Sequence, residues 1–276
     1  GNFIGQDLSF LSAGGKAAAF LPTAVLFFVF AVPAFILVKE PHMTQTNEKP
    51  QIKKAYDEVW CAIKDTKKYP GVIRFLVADY FFEDAVATVI LNIGLYSSIV
   101  IGFNDADLTA FLIISTISAM IGSFIIGKLS QKRSLKKTMR RIVYGWIVVL
   151  FLFIVIDNKL LIYILGSAVG VLLGGLWTVS RPLLAEMVPG AELGKFFGLY
   201  SLSGRAAAVF GPVLWGTIIY LLNPSRPLGI WVGRQLELSP ETAAKFPYWM
   251  AVVSLALMML VGLIIFKKLP DGGNEI

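Results

Sequence analysis

Apolar residues gather in seven long runs along this chain, at 17–38, 72–98, 108–127, 142–157, 160–184, 196–222 and 245–266. A helix needs about 20 apolar residues to cross about 30 Å of hydrocarbon. The fourth run is short and must stand close to the bilayer normal or borrow from its flanks. Lipid offers no partner to a free N–H or C=O, so each run reads as helix and not as an open-edged strand. The pattern predicts an all-α membrane protein with seven transmembrane helices.

The polar intervals between the runs differ in charge. Segment 39–71 carries Lys39, Lys49, Lys53, Lys54, Lys64, Lys67 and Lys68, and segment 128–141 carries Lys128, Lys132, Arg133, Lys136, Lys137, Arg140 and Arg141. With Lys195, Lys267 and Lys268 these make seventeen cations on one side, against Lys16, Lys159, Arg226 and Arg234 on the other. Basic loops stay in the cytoplasm. The C-terminus is therefore predicted inside and residue 1 outside. An outside start beginning at Gly1, with neither the basic stretch nor the cleavage site of a signal peptide in residues 1–16, leads us to expect a piece of a longer protein whose upstream spans are missing.

The long interval 39–71 contains a predicted helix. Pro50 suits its first turn, and Ile52, Tyr56, Val59 and Ile63 recur at spacings of three and four with lysines opposite. Trp60 falls where an interfacial aromatic would sit. Such a helix lies either on the lipid surface or on the protein's own cytoplasmic face. Interval 223–244, with Pro224, Pro227 and Pro240, reads as an extracytoplasmic loop with a short helix over 239–244 opened by Ser239-Pro240-Glu241. The expected organisation is thus an extracytoplasmic segment and first helix over 1–38, a cytoplasmic linker over 39–71 and a helical bundle over 72–276.

Composition agrees with a membrane protein. Only 16% of residues are charged, where soluble domains average about 25%. The net charge of +7 is explained by the cytoplasmic loops and implies no nucleic-acid partner. A single histidine, His42, and a single cysteine, Cys61, leave no His-rich metal site and no intrachain disulfide. No GxxxxGKS/T, GxSxG or HExxH pattern occurs, so no cofactor, metal or catalytic set is expected.

The second run carries the most informative chemistry. Within Val77-Ala78-Asp79-Tyr80-Phe81-Phe82-Glu83-Asp84-Ala85-Val86 lie three carboxylates in an otherwise apolar helix. An acid in hydrocarbon costs several kcal/mol unless paired, hydrated or protonated. By helical rise Asp79 lies about 10 Å from the cytoplasmic entrance, and Glu83 and Asp84 about 16–18 Å in. Asp79 and Glu83 share a helix face at i, i+4, while Asp84 points roughly 100° away from Glu83. Binding of a coupling ion or a substrate amine is one reading; a structural ion pair between helices is the other.

Two arginines offer partners. Arg205 enters from the cytoplasm to a depth between Asp79 and Glu83, and Arg181 lies near the cytoplasmic end of its span. The expected pairs are Arg205 with Glu83 or Asp84, and Arg181 with Asp79 or Glu186; Arg205 could instead hold a substrate carboxylate. Tyr200, Ser201 and Ser203 add hydroxyls near Arg205, and Gly211-Pro212 should kink that helix. Gly166, Gly170 and Gly174, at spacings of four and followed by Gly175, form a small-residue stripe for close helix packing or for sliding during gating. Pro182 should end or bend the fifth span.

Two motifs resemble a known family. The loop Gly127-Lys128-Leu129-Ser130-Gln131-Lys132-Arg133-Ser134-Leu135-Lys136-Lys137 is similar to the repeated basic loop of the major facilitator superfamily, with Ser130-Gln131 where an acid is usual. Ser180-Arg181-Pro182-Leu183-Leu184-Ala185-Glu186-Met187-Val188-Pro189, then Phe196-Phe197-Gly198-Leu199-Tyr200-Ser201-Leu202-Ser203-Gly204-Arg205 and Gly211-Pro212, resemble the tenth and eleventh helices of its vacuole-effluxer (autophagy-related) branch and bacterial relatives. Asp79 to Asp84 resembles that branch's seventh helix, and the branch often has Lys where Arg205 stands.

The resemblance covers essentially the whole chain. It implies a twelve-helix transporter of two bundles, of which this chain holds helices six to twelve and the central linker, with the N-terminal bundle as the missing partner. It implies a secondary permease that moves a small solute, amino acids in eukaryotic members, by alternating access, with protons as a coupling ion. A bacterial cytoplasmic membrane suits the short loops, with a vacuolar membrane as the alternative. The competing function class is a seven-helix sensor without transport. Its retinal form is disfavoured because the last span has lysine only at Lys245, Lys267 and Lys268, none of them midway.

Overall fold

The computed structural model describes residues 20–37, 60, 63–69 and 71–270, and no strand occurs among them. The chain divides into two compact units at Gln51 and Ile52. The first unit contributes helix α1 (Phe20–Leu37), apolar but for Thr23 and with Pro33 inside it. Residues 1–19 and most of the predicted linker helix, including Pro50, Ile52, Tyr56 and Val59, lie outside the described residues. Trp60 and Ile63 are described, and both are exposed.

The second unit is a helical bundle. Its helices are α2 (Val72–Tyr96), α3 (Asp105–Ser130), α4 (Leu135–Val155), α5 (Lys159–Ala185), α6 (Leu193–Leu222), α7 (Pro227–Gln235) and α8 (Pro240–Lys267). With α1, six of these make seven helices among the described residues long and apolar enough to cross a membrane. The predicted runs therefore become helices, with edges set by polar caps. Asn104 opens α3 with a capping box: its side chain accepts the Asp107 N–H at 2.8 Å while its own N–H donates to Asp107. The Asn158 side chain caps α5 by accepting the Leu160 N–H at 2.9 Å.

Four features differ from expectation. The short fourth run gains seven residues at its N-terminal end, so α4 reaches 21 residues by drawing Leu135 to Arg141 into the helix. The short helix expected over 239–244 is the first turn of α8, continuous with the last span because Ser239 caps it and Pro240 occupies its first position. The loop before it contains α7, which Pro227 opens in the same way. Pro182 neither ends α5 nor stops it at once; the helix runs on to Ala185.

Packing follows a chain of neighbours. Helix α2 packs against α6 and α8, α8 against α4 and α6, α4 against α5, and α5 against α3. Phe75, Phe82, Trp146, Phe196 and Phe266 are fully buried in the shared core. Tyr96 crosses it to donate its hydroxyl to the Phe153 carbonyl at 2.7 Å.

The glycine stripe of α5 explains its closeness to α3. A Cβ on Gly170 would strike the backbone of Ser115 and Ala119, one on Gly174 the Ala119 carbonyl, and one on Gly166 the Phe111 ring. From the other side, a Cβ on Gly122 would strike the Val171 backbone. The two helices touch through their main chains, the arrangement that small residues permit.

Gly71 is required at the entrance to α2. Its φ of +98° is left-handed, and a Cβ there would run into the side chains of Pro270 and Met187. The start of α2, the α5–α6 turn and the C-terminal turn therefore converge on one residue.

A candidate polar site between α2, α5 and α6

Helix α2 positions the three acids, and they meet three different fates. Asp84 is fully buried. Both of its carboxylate oxygens accept the Gly211 N–H, at 2.9 and 2.8 Å. That N–H is available because α6 breaks: Ala208 leaves helical geometry with ψ of +19°. Pro212 has no N–H to return to the Ala208 carbonyl, so the ladder is interrupted there. Asp84 thus caps the outer half of α6 from a neighbouring helix. Thr88 supports it, donating its hydroxyl to the Asp84 carbonyl at 2.7 Å. Gly211 must lack a side chain, since a Cβ would meet Thr88 and Asp84.

Asp79 is 1% exposed, and its Oδ1 has no hydrogen-bond partner among the described residues. Glu83, one turn on, is half-buried and accepts the Trp177 indole N–H at 3.1 Å. Glu83 lies within electrostatic reach of Asp79 and of Arg181 on α5. Tyr200 of α6 closes the third side. Its ring stacks on Phe75 at 6.5 Å, its hydroxyl shares a 2.9 Å hydrogen bond with the fully buried Ser180, and it lies within reach of the charges of Asp79, Glu83 and Arg181.

The structure therefore brings together Asp79, Glu83, Tyr200 and Arg181, and adds Trp177 and Ser180. Ser180 adjoins Arg181 in sequence and Trp177 lies one helical turn before it, so helix spacing from Arg181 would have found both. Asp84 stands apart, bound to Gly211. Arg205 is exposed and forms no ion pair among the described residues; the expected contact with Glu83 or Asp84 is not made in this structure. Ser203 is half-buried. Glu186 is exposed and makes no ion pair with Arg181. No group of three or more metal-ligating side chains occurs among the described residues.

Below this cluster, the segment before α2 and the start of α6 are tied by charge. Asp65 binds both Lys195 at the start of α6 and Lys68 at 2.8 Å. The Lys195 hydrogen bond, then that from Lys68, holds the Asp65 carboxyl down at about 2. Tyr69 donates to Glu192 at 2.9 Å and sets its ring edge-on to Phe196 at 5.4 Å. That hydrogen bond pushes the Tyr69 hydroxyl above its ordinary pKa. Residues 65–69 are thereby fixed to the start of the same helix that carries Tyr200.

Residues 16–227 match the family model described as "Vacuole effluxer Atg22 like". The chain is 25% identical over 268 residues to a Bacillus subtilis protein named "Uncharacterized MFS-type transporter YxiO", covering 95% of this chain and 55% of that one. It is 25% identical over 206 residues to Autophagy-related protein 22 of Kluyveromyces lactis, covering 70% of this chain and 42% of the relative. It is 28% identical over 177 residues to the Coccidioides immitis protein of the same name, covering 58% and 29%. The chain thus spans about half the length or less of these curated relatives. With seven helices able to span a bilayer, it is an integral, multi-pass membrane protein with the all-helical build of the major facilitator superfamily. The chain belongs to the vacuole effluxer Atg22-like family.

Proposed function

We propose that this chain supplies the C-terminal bundle and linker of a secondary transporter, which moves a small solute across the membrane by alternating access. One observation carries the reading: Asp79 is a buried acid with an oxygen that has no partner among the described residues, set beside Glu83 where α2, α5 and α6 meet. Two neighbouring carboxyls out of water favour sharing a proton over ionising together. The pair can take up and release a proton, or exchange it for a substrate amine, as access alternates. Trp177 holds one Glu83 oxygen, while Tyr200 and Ser180, bonded to each other, shape the wall beside the acids. Arg181 balances Glu83 when the acid is charged. Arg205, exposed on α6 and without an ion pair among the described residues, would hold a substrate carboxylate in a cavity shared with the N-terminal bundle. A cation and an acid pair on one side of a cavity suit a zwitterion, which makes amino acids the first substrate class to test.

The test is solute flux into vesicles holding the complete transporter of which this bundle is part, screened over amino acids with and without a pH gradient. Asp79→Asn and Glu83→Gln should each abolish gradient-driven flux while leaving the protein inserted. Unimpaired flux in both variants would overturn the assignment.

A further inference from the structure

We propose that the outer seam between α4 and α8 is a binding site for an anionic phospholipid, with the lipid phosphate at the cytoplasmic end. The seam begins with a crowd of like charges. Lys137, Arg140 and Arg141 are exposed on the first turns of α4, and Lys267 and Lys268 end α8. Lys267 reaches across to α4 and sits 5.2 Å over the ring of Tyr144. Tyr144 lies one turn beyond Arg140 on the same face. No ion pair neutralises any of these five cations among the described residues. Lys137 and Arg141, at i and i+4, repel each other on the helix surface unless an anion lies between.

The C-terminal turn holds this geometry. Arg74 donates to the Lys268 carbonyl at 3.0 Å, and Lys136 donates to the Leu269 carbonyl. The main chain at the end of α8 is thus bound by other helices, while the Lys267 side chain reaches Tyr144 and Lys268 is exposed. Cations of this kind, level with an interfacial tyrosine, form the arrangement that phosphate headgroups select.

Below the charges the surface turns apolar along both helices. On α4 the exposed stripe continues from Tyr144 through Val148, Phe151 and Val155, at spacings of three and four. On α8 it runs back from Lys267 through Ile264, Leu260 and Leu257 at the same spacing. The two stripes start together, at the Lys267–Tyr144 contact, on helices that pack against each other. A molecule with an anionic head and acyl chains matches both ends of this surface. Inorganic phosphate matches the upper end alone.

The experiment is native mass spectrometry of the full chain in a non-ionic detergent. It is titrated with dioleoylphosphatidylglycerol and, separately, with dioleoylphosphatidylcholine. The anionic lipid should bind about tenfold or more tightly. The triple variant Arg140→Gln, Arg141→Gln, Lys267→Gln should lose that preference, and Arg140→Lys, Arg141→Lys should retain it with the fold checked by circular dichroism. A control with Lys128→Gln in the last turn of α3, and Lys132→Gln and Arg133→Gln in the loop before α4, should keep the full preference. Equal affinity for the two lipids, persistence in the triple variant, equal loss in the loop control, or displacement of the lipid by inorganic phosphate would each overturn the site.

Discussion

Both carboxylate oxygens of Asp84 accept the Gly211 N–H across the seam of α2 and α6, and no other side chain among the described residues accepts from that donor. The bond joins a buried acid to a broken helix, so each explains the other. Removing the acceptor would strand a buried N–H, at a cost of about 1–3 kcal/mol. Asp84→Ala should therefore lower the thermal midpoint in detergent. Asp84→Asn, which keeps one acceptor oxygen, should lower it less. Equal losses would show that the cap contributes nothing.

Asp79 should behave in the opposite way. An acid buried without a partner is a burden on folding. Asp79→Asn should leave the thermal midpoint unchanged or higher while gradient-driven flux is lost. This exchange of stability for activity marks a functional group. A variant that loses stability and keeps flux would place Asp79 among the structural residues.

Close packing of α3 on α5 makes two glycines diagnostic. Gly170→Ala forces a methyl onto the backbone of Ser115 and Ala119 and should destabilise by about 1–3 kcal/mol. Gly198→Ala, where nothing lies within 4 Å, should stabilise α6 by up to about 1 kcal/mol through helix propensity. Thermal unfolding of the two variants side by side measures the difference.

The Asp65–Lys195 tie has a defined acid limit. Lys195 first, then Lys68, lowers the Asp65 pKa from 3.8 to about 2. A carboxylate lowered in the folded state adds stability above 3.8 and loses it as pH falls toward about 2. Spin labels at Lys64→Cys and Gly194→Cys should report an unchanged separation from pH 7 to pH 4, then a broadening at lower pH. Asp65→Asn should broaden it already at pH 7.

Much of this was legible in the chain. Long apolar runs are dictated by bilayer thickness, so the spans and their helical form follow from the sequence. The kink at Gly211-Pro212 follows from the missing proline N–H. What one sequence does not carry is azimuth, the direction each residue faces around its helix once neighbours are in place. Depth alone matched Arg205 to Glu83, while the fold turns Arg205 outward and sets Arg181 within reach of Glu83 instead. Depth likewise left Asp84 among the coupling acids, because its partner is a main-chain N–H freed by a break elsewhere. Helix α7 was hidden by its prolines, read as loop signals when Pro227 in fact begins the helix.

The break at Ala208 divides α6 into two levers. Tyr200 and Arg205 ride on the inner one and Trp215 on the outer, with the Asp84 clasp gripping only the outer arm. A tilt of the inner arm can then carry Tyr200 and Arg205 while Trp215 stays seated in the core. Motion of the arm that starts at Leu193 need not disturb the arm that ends at Leu222, so one helix joins a hinged part to an anchored one.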